Sequence, residues 1–459
     1  MTIQRSSAGD VEVKISVIRD GVKLQSDDGN DNIYDFVTGL EIYESITSAT
    51  IEGKILFNDG SGFMGAMTGS ELFKIQITGS IIDRTYYLRA YDIEARTRLN
   101  TADSFIVNCA SDEFFKNEIN NVFGNSEVVF KSTESSEIVD QLLRKDNRFI
   151  NTKKSVFVEE STNKQQFVSP NWRPFDCIYW IAQRSTRKAK KGGVLQNGFI
   201  FYENSLGYHF KSIDRLIDDV NKQSETETNF SNGEAKLYSY VYSTKQSGTE
   251  ESDQFKIESL VFPEERDFLT GLRHGAWSGF SMGFDPVTVT SSKMGLSTDL
   301  SVDAYQYSID QMWSKMSHLD ESKSVNPITV MDQTIQDVVN YPKRVRYTLL
   351  PNQIFDPKYQ DNPQKNYEEL VELQSYQWMR IESLKNIKLL ITVPGNLDLY
   401  AGAGIDIILP ATYKRNTRTE IDRKYSGRYV IGGLTHKIVG TTMKTEALVL
   451  KDSIPRPSN

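Results

Sequence analysis

Ala49-Thr50-Ile51-Glu52-Gly53-Lys54-Ile55-Leu56-Phe57 places Ala49, Ile51, Gly53, Ile55 and Phe57 on one side of an extended chain. Thr50, Glu52 and Lys54 lie on the other. A period of two is the signature of a strand with one buried face. The same alternation extends outward in both directions. Upstream it holds Val11, Val13, Ile15 and Val17; downstream it holds Phe73, Ile75 and Ile77, then Tyr86, Leu88 and Ala90, then Phe105, Val107 and Cys109. Asn58-Asp59-Gly60, Thr78-Gly79-Ser80 and Leu99-Asn100-Thr101 supply turn chemistry between them. Many short strands with regular turns predict an antiparallel barrel or sandwich over the first ~110 residues.

Beyond Ser111-Asp112 the pattern changes. Glu113–Val122 and Ser135–Arg144 read as helices, the second with a serine cap candidate in Ser135-Ser136-Glu137. Pro174 suits a first helical position, and Phe175, Ile178, Ile181 and Ala182 form one stripe after it. A basic loop, Arg187–Lys191, ends at Gly192-Gly193, and a hairpin follows around Asn204-Ser205. Residues 221–253 are polar, with 243–253 the clearest linker. Strands are predicted at Ile257–Val261 and Val287–Thr290. A helix is predicted from Tyr367 to Lys385, opened by Asn366 with Glu369 and striped by Val371, Trp378, Ile381 and Leu384. The last ~70 residues return to strands through Leu389–Val393, Ile405–Leu409, Tyr429–Ile431 and Ala447–Val449, with Pro394-Gly395 as a turn. No residue-level repeat is evident.

The 459 residues suffice for several domains, and 38% hydrophobic residues suffice for real cores. A net charge of −8 argues against non-specific grip on phosphate backbones. Two cysteines, Cys109 and Cys177, are too few for a disulfide framework or a zinc site. Neither a signal peptide nor a membrane-spanning run is expected.

Signals for chemistry are weak, and no catalytic, metal-binding or cofactor-binding residue is assigned. His209, His274, His318 and His436 are scattered, none in a metal-ligand spacing. Asp27-Asp28-Gly29-Asn30-Asp31-Asn32 lacks the ligand spacing of a calcium loop and reads as a polar turn. Cys177 with His209 could be drawn as a nucleophile pair, but Cys177 lies among apolar helix residues and reads as a buried thiol. Arg184–Lys191 lacks interleaved aromatics, which leaves a solvated loop or a dock for an acidic neighbour. Gly402-Ala403-Gly404 reads as a turn. Of the tryptophans Trp172, Trp180, Trp277, Trp313 and Trp378, core positions are expected for Trp180 and Trp378.

Two stretches resemble the central baseplate hub proteins of contractile-tailed bacteriophages, relatives of the hub part of type VI secretion spike proteins. One is Pro170-Asn171-Trp172-Arg173-Pro174-Phe175-Asp176-Cys177-Ile178-Tyr179-Trp180-Ile181-Ala182, followed by Gly198-Phe199-Ile200-Phe201-Tyr202-Glu203. The other is Trp378-Met379-Arg380-Ile381-Glu382 with Ile391-Thr392-Val393-Pro394-Gly395-Asn396-Leu397-Asp398-Leu399-Tyr400-Ala401-Gly402; Gly427–Ile431 and His436–Ile438 also fit. The resemblance implies an α+β, β-rich fold with two tail-tube-like antiparallel β-barrels, the second interrupted in sequence. The expected division is a first barrel at 1–112, a mixed α/β domain with linker at 113–253, and a second barrel at 254–295 and 387–452. A partly helical insertion occupies 296–386, and 453–459 is a tail. The implied function is structural and non-enzymatic, without cofactors: a homotrimeric pseudo-sixfold ring joining the tail tube, or its initiator, to a central spike. Baseplate wedge proteins would be neighbours, DNA and tape-measure protein would pass through the lumen, and the location would be the virion tail. No fused lysozyme or spike is expected. The rival readings are a peripheral baseplate or receptor-binding protein and a cell-wall hydrolase, which would need paired carboxylates in a cleft.

Overall fold

The computed structural model describes residues 8–455 except 26–28, 61, 63–66, 99–100, 124–128, 188–195, 224–235, 243–252, 264–266, 286–289, 292–304, 321–323, 342–343, 350–360, 362 and 412–419. Strand outweighs helix, 46% against 24%, so the fold is α+β and β-rich.

The five alternating segments of the first ~110 residues form strands, and Val37–Ser45 adds a sixth that the alternation did not reveal: β1 Glu12–Arg19, β2 Val37–Ser45, β3 Glu52–Asp59, β4 Leu72–Thr78, β5 Asp83–Arg98 and β6 Asp103–Ser111. Their order in space is β1-β4-β5-β6-β3-β2, antiparallel throughout. Inward residues of all six, among them Ile15, Ile42, Ile55, Phe73, Leu88 and Val107, pack as one core. Each buried side chain of this size contributes about 1.5–3 kcal/mol.

A mixed region follows. Helix α1, Pro174–Ala182, begins with proline in its first turn as predicted. Its N-terminus is capped from a distance: Asn117 Oδ1 accepts from the Phe175 N–H at 2.7 Å. Strands β7, Phe199–Asn204, and β8, Gly207–Ser212, form the predicted hairpin. Helix α2, Ile213–Lys222, buries Ile213, Leu216, Ile217 and Val220, and the Ser212 hydroxyl caps it. At the hairpin turn Gly207 has φ +136°, and a Cβ there would lie 2.1 Å from the Ser155 carbonyl oxygen of the neighbouring parallel strand. Gly207→Ala is expected to cost about 1–3 kcal/mol from backbone strain alone, with overpacking in addition, read as a lowered thermal midpoint.

The second sheet comprises β9 Tyr238–Tyr242, β10 Lys256–Ile257 and β11 Ser259–Val261 flanking Glu258, β12 Ile387–Pro394, β13 Gly404–Ile408, β14 Gly427–Val439 and β15 Thr442–Lys451. Pairing runs β9-β13-β14-β15-β12-β11, and β10 returns to β9. Taking residues 256–261 as one position, both sheets have the order first–fourth–fifth–sixth–third–second. They differ in the first strand, which is antiparallel to its neighbour in one sheet (β1 with β4) and parallel in the other (β9 with β13).

The two sheets are continuous. The second half of β14 pairs antiparallel with β2, from Gly433 opposite Ser45 to Ile438 opposite Leu40. No ladder joins β1 to β2 among the described residues, and no closed barrel is found there. The β14–β15 hairpin tip stands in that gap. An isolated bridge joins Asp10 to Thr442, and Ile438 and Met443 enter the first core.

Several local expectations change. The helix predicted at Glu113–Val122 ends at Ile119, because the chain turns extended at Asn120. Ser135 lies inside its helix, not at its cap, and its hydroxyl accepts from Gln165. The long helix α3, Pro363–Leu384, starts before Asn366, so that residue is not its cap. Of the strand predicted at Val287–Thr290, residues 287–289 lie outside the described residues; Ser278–Asp285, within the stretch expected in the second barrel, pairs instead with Tyr305–Ser308 and Arg344–Leu349 of the insertion. The linker at 243–253 lies almost wholly outside them. Ile454-Pro455 forms a short ladder with Ser324-Val325.

Candidate assembly site

The junction of the two sheets carries an outward groove of ≈ 370 Å³, lined by Tyr43, Thr50 and Glu52 of the first sheet and Leu390, Leu434 and Leu448 of the second. Leu390 pairs with Leu448 across β12 and β15 and with Val261 of β11, and all three are exposed. The three form a short apolar stripe open to solvent.

Behind the groove, Glu44 on β2 ties three parts of the chain together. Its buried carboxylate accepts from the Ser205 N–H at 2.9 Å and the Ala401 N–H at 3.1 Å. Burial pushes its pKa up to about 7, against the two backbone donors and Arg84, which favour the charge. Beside it, Gly402 at φ +90° leaves room for the Tyr202 hydroxyl, which would lie 2.5 Å from a Cβ. A second lock joins the first sheet to the β7–β8 hairpin: Glu203 accepts from the Ile51 N–H at 3.1 Å, and Lys154 bridges it to Glu113. A third fastens the insertion. Arg380 of α3 is fully buried, with Nε 3.4 Å from Asp214 and Nη1 3.3 Å from Asp452; Nη2 donates to the Ser317 carbonyl at 2.7 Å. Tyr376 donates to Asp214 at 2.8 Å. These locks join elements distant in sequence, so they fix the relative placement of sheets, hairpin and insertion.

The residues weighed for chemistry take structural places. His209 is buried between Tyr202 and Phe157, and its pKa is well below the usual value because of burial; no hydrogen bond joins it to Cys177. His436 is buried, hydrogen-bonded to Thr445, with its pKa lowered to about 4 by burial. His318 stacks on Trp313 and bonds Asp452 and the Trp313 carbonyl. His274 is exposed at a helix end. Cys177 and Cys109 are both buried, and burial pushes the Cys177 thiol up to about 12. Of the 27–32 loop, 27 and 28 lie outside the described residues; Asp31 pairs with Lys14 and Lys23, and Asn32 bonds Ile15 and Tyr34.

The basic stretch is not simply a solvated loop. Arg184 stacks over Trp180 at 4.0 Å, and Arg187 is buried against Glu159 and Asp218. Residues 188–195 lie outside the described residues. Trp180 and Trp378 are half-buried, whereas Trp277 is buried. Among the described residues no group of three or more His, Cys, Asp or Glu side chains is placed to hold a metal. No described helix is long and apolar enough to cross a membrane. Sequence reasoning did not single out Glu44, Glu203 or Arg380.

No protein-family model matches the chain, and no curated protein matches it. Solved structures do. The tail protein from Neisseria meningitidis MC58 aligns with a TM-score of 0.51 at 9% identity, covering 96% of this chain and 97% of that one. The 43 kDa tail protein of prophage MuSo2 from Shewanella oneidensis aligns with a TM-score of 0.52 at 8% identity, covering 96% and 99%. The hub-like fold anticipated from residues 170–203 and 378–402 is thus borne out: over nearly its whole length the chain has the fold of these phage tail proteins.

Proposed function

We infer that the protein is a structural, non-enzymatic component of a contractile phage tail, its baseplate hub. The carrying observation is the repeated strand order in two sheets fused edge to edge within one chain. A chain with two like units turns a threefold ring into six positions, the match needed between a sixfold tube and a threefold spike. The likeness of fold to two tail proteins supports the same reading. On it, 1–112 is one tube-like barrel, Tyr238–Tyr242 and 254–261 with 387–452 make the other, and the rest of 113–253 and 262–386 brace them. The spike lies below, the tube or its initiator above, and wedge proteins outside. DNA and tape-measure protein pass through an acidic lumen without sequence-specific contact.

Light scattering of the purified protein, alone and with its spike, tests this. A particle of three times 52.3 kDa, ring-shaped by electron microscopy, is expected. A monomer under both conditions would remove the hub reading and leave a peripheral tail role.

A further inference from the structure

The strand repeat can be followed residue by residue, and it identifies an unfilled joint. In the second sheet, β14 pairs with β15 at Val430 and Ile431, skips Gly432, and resumes with Gly433 opposite Leu448. In the first sheet, β5 pairs with β6 as Leu88, Arg89 and Ala90, skips Tyr91, and resumes with Asp92 opposite Asn108. The bulges coincide, so Asp92 corresponds to Gly433. The same propagation sets Asn108 against Leu448, Lys54 against Leu390 and Glu41 against Val261. Burial agrees with the alignment: Ala90 and Ile431, Ile55 and Ile391, and Val107 and Ala447 are all fully buried.

In β14 the bulge marks a change of neighbour. Before it the strand pairs with β13; after it the same edge pairs with β2 of the other sheet. In β5 the edge before the bulge pairs with β4, and after it no described strand pairs with that edge. Residues Tyr91, Asp92, Glu94, Ala95, Arg96, Thr97 and Arg98 are exposed. The counterpart of β2 is β11, whose exposed Val261 continues into exposed Phe262. A long strand edge left open beside apolar residues is a template for strand addition.

We propose that Glu94–Arg98 of β5 pairs antiparallel with Leu260–Pro263 of a second copy, repeating between subunits the β14–β2 joint made within each chain. A second bulge in β5 lies between Glu94 and Thr97, so Thr97, opposite Ser104 as Lys437 is opposite Lys444, stands for Lys437 and faces Val261 of the second copy, as Lys437 faces Glu41. The contact is head-to-tail, so it propagates around a ring and leaves no edge open when the ring closes. The inference rests on the ring reading above, to which it adds the identity of the contacting strands.

Mixing separately purified Thr97→Cys and Val261→Cys proteins and adding a short bismaleimide tests it. Both positions are exposed, and the two native thiols are buried. A covalent dimer is expected in the mixture and not with either protein alone. In parallel, hydrogen exchange on the unmodified protein is expected to protect 94–98 and 260–262 in the oligomer. An oligomer without the cross-link and without that protection would overturn the joint and leave the ring reading standing. A wild-type protein monomeric at every concentration would overturn both.

Discussion

Replacing Arg380 by leucine is expected to lower the free energy of unfolding by about 3–5 kcal/mol, the usual cost of stranding buried charge. The guanidinium is fully buried and faces two carboxylates, Asp214 and Asp452, which are equally buried. Leucine fills part of the volume but leaves both carboxylates without their cation. Asp214 keeps the Tyr376 hydroxyl and the Ser317 N–H, and Asp452 keeps His318 and the Leu319 N–H. Denaturant unfolding at neutral pH measures the loss. The triple variant Arg380→Leu, Asp214→Asn, Asp452→Asn is expected to recover a substantial part of it, since the charges then leave together. A single variant as stable as the wild type would show that water reaches this site.

Glu44 gives the second large effect, visible as a pH dependence. Its carboxyl titrates near 4.5 in the unfolded chain and about 7 in the fold. Between those values the folded state holds a proton that the unfolded state has released. Stability contributed by this group is therefore greatest below about 4.5, falls as pH rises and levels off above about 7. The separation corresponds to about 3 kcal/mol. Glu44→Gln has no proton to lose. The difference in unfolding free energy, wild type minus variant, is expected to fall by about that amount between pH 4.5 and 8. Parallel profiles for the two proteins would show that the carboxylate stays charged throughout, held by the Ser205 and Ala401 N–H groups.

The first sheet was legible because its strands bury one face, so Ile15, Ile55, Phe73 and Val107 each stand among polar neighbours. Helix α1 was legible from Pro174 and the stripe behind it. Helix α2 carries an equally regular stripe, Ile213, Leu216, Ile217 and Val220, but no proline opens it and it is crowded with aspartates that pair with Lys211, Arg187 and Arg215. Strand β9 is five residues set between polar runs, and only its pairing with β13 and β10 makes it a strand. The repeat was hidden for a different reason. Corresponding positions agree in burial and not in residue type, as with Phe73 and Ile405 or Cys109 and Val449, which are all fully buried. The buried locks were illegible because a lone Glu44 or Arg380 reads as a surface charge until the fold brings its partners from elsewhere in the chain.

The joint between Leu40–Ser45 and Gly433–Ile438 also has a mechanical meaning. It is a run of antiparallel backbone pairs lying along both strands, so tension applied along those strands loads every pair at once. Such a seam yields in shear, all together, and resists far more than one opened from an end like a zipper. Because β14 belongs to both sheets, a pull on either is carried into the other through a single continuous backbone, with no linker to stretch. The two halves of the chain therefore tilt and travel together when either is pulled.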